Sequence, residues 1–251
     1  MSIAELSFAI KCGIIDSMKE IIQRTAARFA IDLNEEQALK LERYAEILLD
    51  WNQRMNLTAV TDPEDIALKH FADSLLGAKY LPKGVSLCDV GTGAGFPGIP
   101  LKIFRPDLRL TLMDSLNKRI LFLHEVVEDL GLDGVEEIHI RAEDAGKSPL
   151  YREKFDVVTA RAVARLNTLC EYTLPLVRVG GFFLAYKGVC EEELAESARA
   201  IEILGGQLEK TEVFTLSDEE NRRTLIRICK VKATPKAYPR GKNRERTAPL
   251  S

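Results

Sequence analysis

The chain has 251 residues, of which 46% are hydrophobic and 29% charged, and its formal net charge is −3. These proportions are typical of a soluble globular protein with room for one large α/β domain and an appendage. No apolar run approaches the roughly 20 residues that cross a bilayer, and residues 1–12 lack the cationic start and cleavage site of a secretory signal. We therefore expect a cytoplasmic protein without a membrane segment.

The cysteines and histidines argue against a metal site and a disulfide framework. Three histidines are widely separated, and none of the five cysteines stands in a C-x-x-C pair. Scattered thiols of this kind are typical of a reducing compartment. The cysteines are Cys12, Cys88, Cys170, Cys190 and Cys229, and the histidines are His70, His124 and His139.

Amphipathic helices are predicted over residues 16–31 and 35–52, ahead of any strand. Asn34 and Gln37 form the capping-box signal at the start of the second helix. Because three-residue and four-residue spacing gives this helix one apolar face, it must pack against the rest of the chain. We expect residues 1–80 to form a helical cap on the main domain.

A third helix is predicted to start at Asp62, which is followed by proline and two acids. Its sequence carries His70, with Asp73 and Ser74 one turn further on. A single histidine on a helix is more often packed or capped than catalytic, and the sequence leaves both interpretations open.

The next stretch joins a strand to a glycine-rich loop and a helix. Residues 85–90 form a short apolar run, and Pro97 and Pro100 fall in the first helical turn, where proline is tolerated. Between the strand and the helix, the glycine-rich backbone has few side chains, which allows a ligand to approach closely. The glycines are Gly91, Gly93, Gly95 and Gly98.

Two kinds of ligand fit this loop. The spacing of Gly93, Gly95 and Gly98 matches the G-x-G-x-x-G fingerprint of NAD and FAD sites. Asp89 favours a different ligand, because a carboxylate there repels a pyrophosphate and attracts an ammonium group. The pattern Asp89-x-Gly91-x-Gly93-x-Gly95 is typical of pockets for S-adenosylmethionine (SAM).

Strands and helices alternate from residue 85 onward, which indicates a doubly wound, mostly parallel α/β sheet. One helix is predicted to be capped by Ser115 and to end at Gly131. Two more are predicted over residues 166–178 and 191–204. The predicted strands are 85–90, 108–113, 135–140, 155–160 and 181–186, followed by an antiparallel pair at 208–216 and 223–231. We assign this main domain to residues 81–231.

Ligands of such sheets bind outside the carboxyl ends of the strands, at the switch point. Asp114 stands 21 residues after Gly93, in the position from which an acid accepts hydrogen bonds from a ribose; a plain helix cap is the alternative. Ala142 and Glu143 would place a backbone N–H and a side chain beside an adenine, unless they form a surface turn. Phe96, Arg161 and Lys187 are expected at the same edge.

The end of the chain has the opposite charge to the rest. Residues 230–251 hold seven basic side chains and one acid, which gives +6. No helix or strand pattern is present, so the tail over residues 232–251 is either solvated or in contact with phosphates. We expect removal of residues 233–251 to weaken RNA binding and to leave cofactor affinity unchanged. The basic residues are Lys230, Lys232, Lys236, Arg240, Lys242, Arg244 and Arg246.

Several stretches resemble the signature of one bacterial family. Residues 89–101 combine the glycine loop with two prolines, and residues 112–119 contain Asp-Ser-x-x-Lys-Arg. Shorter matches are Trp51-Asn52, Asn56-Leu57-Thr58, His70 with Asp73-Ser74, Arg161-Ala162, residues 185–188 and residues 234–240. Together they are similar to the small-subunit ribosomal RNA guanine-N7 methyltransferases, the RsmG family, formerly GidB.

This resemblance implies a Rossmann-like methyltransferase that uses SAM to methylate N7 of one guanine in 16S ribosomal RNA, at position 527. It implies a partner, the 16S rRNA or small ribosomal subunit, and we expect a monomer with no metal and no membrane contact. The implied cofactor residues are Gly91, Gly93, Phe96, Asp114, Ala142, Glu143 and Arg161. Lys187, Lys236 and Arg240 are the implied RNA-binding residues, and Arg161 with Lys187 would position the substrate.

The residues themselves agree with an N7 acceptor. Many enzymes that methylate an exocyclic amine carry an Asn-Pro-Pro-Tyr-like run, which this sequence lacks. Pyrimidine C5 methyltransferases need a cysteine nucleophile, and no cysteine near the loop stands in a Pro-Cys or Thr-Cys context. Because guanine N7 has a free lone pair, we expect no catalytic base, only positioning. The alternatives are a NAD-dependent oxidoreductase and a non-catalytic RNA-binding protein.

Overall fold

The computed structural model describes residues 16–217 and 221–250; the N-terminal stretch 1–12 lies outside them. The described chain forms one seven-stranded sheet in the order β3-β2-β1-β4-β5-β7-β6. Strands β1 to β5 are parallel, and β7 runs antiparallel to both of its neighbours. The strands are β1 Ser86–Val90, β2 Arg109–Asp114, β3 Val135–His139, β4 Phe155–Arg161, β5 Val177–Lys187, β6 Gly206–Thr215 and β7 Arg222–Lys230. The predicted α/β sheet with an antiparallel closing strand is confirmed.

Two helices precede the sheet, α1 (Met18–Ala27) and α2 (Glu35–Asn52). The capping box that was predicted at Asn34 is present, since its side chain accepts a hydrogen bond from the Gln37 backbone N–H. The first helix is shorter than the predicted 16–31, because the chain turns away at Ala30, whose φ is 56°.

The third helix, α3, runs through three consecutive segments, Pro63–Asp65, Ile66–Ala72 and Asp73–Leu75. Its cap is Asp62, as predicted, which accepts hydrogen bonds from the next turn. The middle segment is a π-helix, a wider form that is frequent at functional sites. His70 lies within this irregular segment, and Asp73 begins the α-helical turn that follows it.

The helices between the strands differ from the predictions mainly at their ends. The predicted Ser115 cap is wrong: α5 begins at Asn117 without a side-chain cap. The helix predicted over 166–178 ends at Thr173, since Pro175 and the early start of β5 follow. The helix predicted over 191–204 is divided in two at Ser197. The helices are α4 Gly98–Phe104, α5 Asn117–Asp129, α6 Ala142–Ala145, α7 Leu166–Thr173, α8 Glu191–Glu196, α9 Ala198–Ile203 and α10 Arg244–Thr247.

Apolar side chains form two cores. In the first, Leu41 and Leu48 of α2 are fully buried together with Leu87 and Leu112 of the sheet. The N-terminal helices therefore share one continuous core with the strands that carry the glycine loop. The boundaries at 80/81 and 231/232 stay a prediction. Within residues 16–217 and 221–250, no helix is both long enough and apolar enough to span a bilayer.

The basic tail is folded against the body of the protein. Thr234 is buried, and the Arg152 guanidinium donates hydrogen bonds to the carbonyl oxygens of Thr234 and Tyr238 at 2.7 and 2.8 Å. Arg240 forms an ion pair with the buried Glu171 at 2.7 Å. The tail then forms the short helix α10, so the prediction of no regular structure is wrong there. A solvated coil does not describe residues 232–250.

Candidate functional site

A cavity of about 300 Å³ lies at the carboxyl ends of β1, β2 and β3. Four of the predicted cofactor residues line it: Gly91, Asp114, Ala142 and Glu143. The structure therefore brings together residues that are 52 positions apart in sequence, from Gly91 to Glu143. Nine further lining residues were not predicted as cofactor contacts, among them Val163, Tyr172, Asn243 and Arg246.

The glycine loop is held by the carboxylate of Asp89, which is fully buried. One oxygen accepts hydrogen bonds from the Thr92 hydroxyl at 2.6 Å and the Gly98 N–H at 3.0 Å. The other accepts from the Thr159 hydroxyl on β4 at 3.2 Å. The sequence predicts an ammonium group of the ligand beside this carboxylate. The groups around it are instead protein donors, which fasten both ends of the loop.

Three loop glycines adopt backbone conformations that side chains rarely allow. The φ angles of Gly91, Gly93 and Gly95 are 64°, 62° and 92°. A Cβ on Gly91 would lie 2.8 Å from Val163 at the cavity wall, and one on Gly95 would lie 2.5 Å from the Tyr44 hydroxyl. Glycine at position 91 therefore lets Val163 pack close to the loop, and glycine at 95 lets the loop pack on α2.

Asp114, at the end of β2, links the loop to the cavity. Its Oδ2 accepts a hydrogen bond from the Gly93 N–H at 3.0 Å and from Arg119 at 3.2 Å. Its Oδ1 accepts from the Leu116 N–H at 2.9 Å, just ahead of α5. The cap-like contact and the cavity position, which the sequence treated as alternatives, are both present.

Phe96 and Arg161 lie together beside the cavity rather than in its wall. The Phe96 ring stacks on His70, with centroids 4.4 Å apart, and the Arg161 guanidinium lies 5.1 Å from the Phe96 centroid. Arg161 also donates to the Lys69 carbonyl at 3.0 Å. These contacts connect the end of β4 to α3 and to Phe96 of the glycine loop.

A buried carboxylate connects this cluster to the closing strand. Asp73 is fully buried and receives hydrogen bonds from Arg161 and from Arg223 of β7, each at 2.6 Å. Pairing with two guanidinium groups offsets the cost of burying the charge. Sequence reasoning missed Arg223 because nothing local links β7 to a helix 150 residues earlier.

The predicted RNA-binding residues have different surroundings. Lys187 donates to the Ala164 carbonyl at 2.9 Å and pairs with Glu193 at 2.7 Å. Arg240 is engaged with Glu171, whereas Lys236 is exposed. Of the three, Lys236 therefore has the side chain that is most accessible to a phosphate.

Two titratable groups near the loop have pKa values displaced in opposite directions. Burial raises the pKa of Asp89 from 3.8 to about 6, against the effect of its hydrogen bonds. Burial, assisted by the Arg161 charge, lowers the pKa of His70 from 6.5 to about 4. His70 is therefore neutral near pH 7, and its Nε2 lies 2.8 Å from the Thr58 hydroxyl.

These shifts predict opposing effects on stability between about pH 4 and 6.5. Asp89 binds its proton more tightly in the folded state, so its contribution to the free energy of unfolding falls as pH rises to about 6. His70 binds its proton more tightly when unfolded, so its contribution rises from about pH 4 to 6.5. In Asp89→Asn only the His70 contribution remains, so we expect the free energy of unfolding to rise with pH. In His70→Gln only the Asp89 contribution remains, so we expect it to fall with pH.

Urea unfolding at a series of pH values measures this. Relative to wild type, Asp89→Asn and His70→Gln should each change the slope of the unfolding free energy against pH by up to about 1.4 kcal/mol per pH unit, with opposite signs. His124→Gln is the control, because that side chain is 63% exposed. Equal slopes in all four proteins would refute the displaced pKa values.

Comparisons with known proteins identify the family of this chain. The model of the family described as rRNA small subunit methyltransferase G, or GidB, matches residues 37–225. A protein named ribosomal RNA small subunit methyltransferase G from Lactobacillus johnsonii is 48% identical over 236 residues, which cover 92% of this chain and 99% of that protein. A protein of the same name from Desulforamulus reducens is 49% identical over 222 residues, 87% of this chain and 92% of that protein.

Solved structures share the fold at low sequence identity. TYW2 of M. jannaschii in complex with AdoMet has a TM-score of 0.52 at 15% identity, covering 63% of this chain and 75% of that one. A SAM-dependent methyltransferase from Aquifex aeolicus has a TM-score of 0.51 at 19% identity, covering 66% and 93%. The match to the family model and the identity to its members go further than the fold. The chain belongs to the rRNA small subunit methyltransferase G family, whose activity is SAM-dependent methylation of N7 of a guanine in 16S rRNA.

Proposed function

We propose that this chain carries out the family reaction at one guanine of 16S rRNA, at position 527 by resemblance, as a cytoplasmic monomer. The observation that carries the proposal is the cavity at the carboxyl ends of β1 to β3, with Asp114 and Glu143 in its wall. Membership of the family displaces the two alternatives, a NAD-dependent oxidoreductase and a non-catalytic RNA-binding protein.

The residues around the cavity fit the nucleoside half of SAM. A volume of about 300 Å³ is at the lower end of the range for ligand pockets, roughly 300–1,000 Å³. Asp114 supplies carboxylate oxygens suited to ribose hydroxyls, and Ala142 with Glu143 supplies backbone and side-chain polar groups suited to an adenine edge. The absence of a side chain at Gly91 lets Val163 pack close to the loop at the cavity wall, where a Cβ would lie 2.8 Å from it.

The chemistry needs little from the protein beyond positioning. SAM supplies an electrophilic methyl group, and guanine N7 carries an unprotonated lone pair at neutral pH. The neutral His70 is stacked on Phe96 and hydrogen-bonded to the Thr58 hydroxyl, so it supports the loop rather than acting as a base. The Arg161 guanidinium donates hydrogen bonds to Asp73 and to the Lys69 carbonyl. These bonds hold its positive charge in a fixed position beside the site.

The RNA side is proposed from charge. Lys187, Lys236 and Arg240 are the candidate RNA contacts, and Lys236 is the most accessible of them. Arg223 adds a fourth cation, held by Asp73 close to Arg161. In A-form RNA the N7 edge faces a deep, narrow groove that side chains do not enter, so the target guanine must be unpaired or swung out.

The function is tested with small ribosomal subunits that lack the methyl group. Purified protein and SAM should produce one N7-methylguanine, detected by borohydride reduction and aniline cleavage of the RNA at that base. Naked 16S rRNA in a parallel reaction shows whether the folded particle is needed. Methylation at another atom, or no product on either substrate, would contradict the proposal.

Asp114→Ala should weaken SAM binding about ten- to a hundredfold while the protein stays folded. The reason is the loss of charge-assisted hydrogen bonds to the ribose, worth about 1.5–3 kcal/mol. Calorimetric titration measures the affinity. Asp133→Ala is the control, since Asp133 lies just before the amino end of β3 and the cavity lies at the carboxyl ends of the strands. Unchanged affinity would remove Asp114 from the cofactor site.

The single-turnover rate with saturating RNA and SAM should be nearly flat between about pH 7 and 9. No proton leaves N7, and Asp89 and His70, with pKa values of about 6 and 4, keep one charge state over this range. A side-chain base would instead raise the rate about tenfold per pH unit below its pKa. Rapid-quench measurements across the range decide between the two. A slope that one substitution abolishes would reveal a base.

A further inference from the structure

The cavity has a wall that comes from the far end of the chain. Asn243 and Arg246 line it together with the strand-end residues, although they lie 100 and 103 positions after Glu143. Both belong to the basic tail, which the sequence connects only with RNA. The structure connects this tail with the cofactor site.

An unusual backbone turn brings the tail to the cavity. Gly241, Lys242 and Asn243 have φ angles of 74°, 58° and 61°, so three consecutive residues are left-handed. Asparagine tolerates this conformation better than most residues, and lysine does not favour it. Such backbone persists only where the surroundings enforce it, and it is concentrated at ligand sites.

The surroundings that enforce it are buried polar contacts. Glu245 is fully buried, its carboxylate accepts from the Gly241 N–H, and its carbonyl accepts from the Thr168 hydroxyl at 2.7 Å. The Arg240–Glu171 ion pair fastens the residue before the turn. Residues 240–245 are thereby fixed to α7, and the position of the turn does not depend on RNA.

Arg246 is the charged group of this wall. Its Nε donates a hydrogen bond to the Tyr172 hydroxyl at 3.2 Å, and Tyr172 lines the same cavity. A planar guanidinium next to an aromatic ring is suited to lie against a purine. The Asn243 amide has both donors and an acceptor for a purine edge.

We propose that Asn243 and Arg246 bind the nucleoside half of SAM, so that the C-terminal segment is part of the cofactor site. This rests on the methyltransferase function and adds two binding residues to it. It also reverses the expectation that loss of the tail leaves cofactor affinity unchanged. Removing the tail would expose Tyr172 and take away one side of the cavity.

Point variants test this without removing the tail. Arg246→Met keeps the length of the side chain and removes its charge, and Asn243→Gly keeps the left-handed backbone and removes the amide. Arg244→Met is the matched control, because Arg244 lies in the same short helix but does not line the cavity. Calorimetric titration uses two probes, S-adenosylhomocysteine and 5′-methylthioadenosine, which has the nucleoside without the amino acid.

Arg246→Met and Asn243→Gly should each weaken both probes about tenfold, the effect of one lost hydrogen bond or charge contact, and the control should stay within about twofold. Unchanged affinity in both variants overturns the proposal. So does a loss for S-adenosylhomocysteine alone, which would indicate contact with the amino acid end, or an equal loss in Arg244→Met. Wild-type protein that binds neither probe would instead refute the methyltransferase function itself.

Hydrogen exchange of the wild-type protein gives a second readout that does not depend on any variant. With S-adenosylhomocysteine bound, the amides of residues 241–247 should exchange more slowly, together with those of the glycine loop. Protection of the loop without protection of residues 241–247 would overturn the proposal.

Discussion

The candidate cofactor site at the carboxyl ends of β1, β2 and β3 depends on one buried charge, the carboxylate of Asp89. It is placed where β1 ends, and its three donors come from the loop, from the start of α4 and from β4. Burial penalises the charged form, as the raised pKa shows, so the charge is retained only because those donors are fixed. The same hydrogen bonds give the glycine loop one conformation. The cavity therefore has its shape before any ligand arrives.

The outer side of the loop is supported by the N-terminal helices. Phe96 is packed between His70 and Tyr44, and Arg161 covers its ring while pairing with Asp73. The helical cap thus does more than cover apolar sheet: it holds the Arg161 guanidinium against Phe96 of the loop. Because Asp73 also pairs with Arg223, the cap, β4 and β7 meet at one buried carboxylate. A change in any of the three would disturb Arg161, which is expected to position the substrate.

Local signals in the sequence were enough to predict most of the fold. Alternating apolar runs located all seven strands, and Asn34 and Asp62 marked two helix starts through hydrogen bonds to their own first turns. Ser115 carried a similar signal and failed, because Asp114 accepts the nearby N–H of Leu116 instead. Helix ends were less predictable, since packing rather than propensity decides where the chain turns.

The site was predictable only where its residues follow strands. Asp114 and Glu143 were placed correctly beside Gly91 because parallel strands bring their carboxyl ends to one edge. Arg246 was not, since its position depends on the partnership of Arg240 with Glu171, 69 residues apart, which no local pattern encodes. Composition alone described the tail as a solvated basic segment, and the buried acids that hold it were hidden in α7 and α10.

A crystal structure of the complex with S-adenosylhomocysteine tests the account most directly. We predict the nucleoside in the cavity between β1, β2 and β3, with the hydrogen bonds of Asp89 to Thr92, Gly98 and Thr159 unchanged. A ligand whose ammonium group takes over the Asp89 carboxylate would contradict it, because the loop would then be shaped by the ligand rather than by the protein.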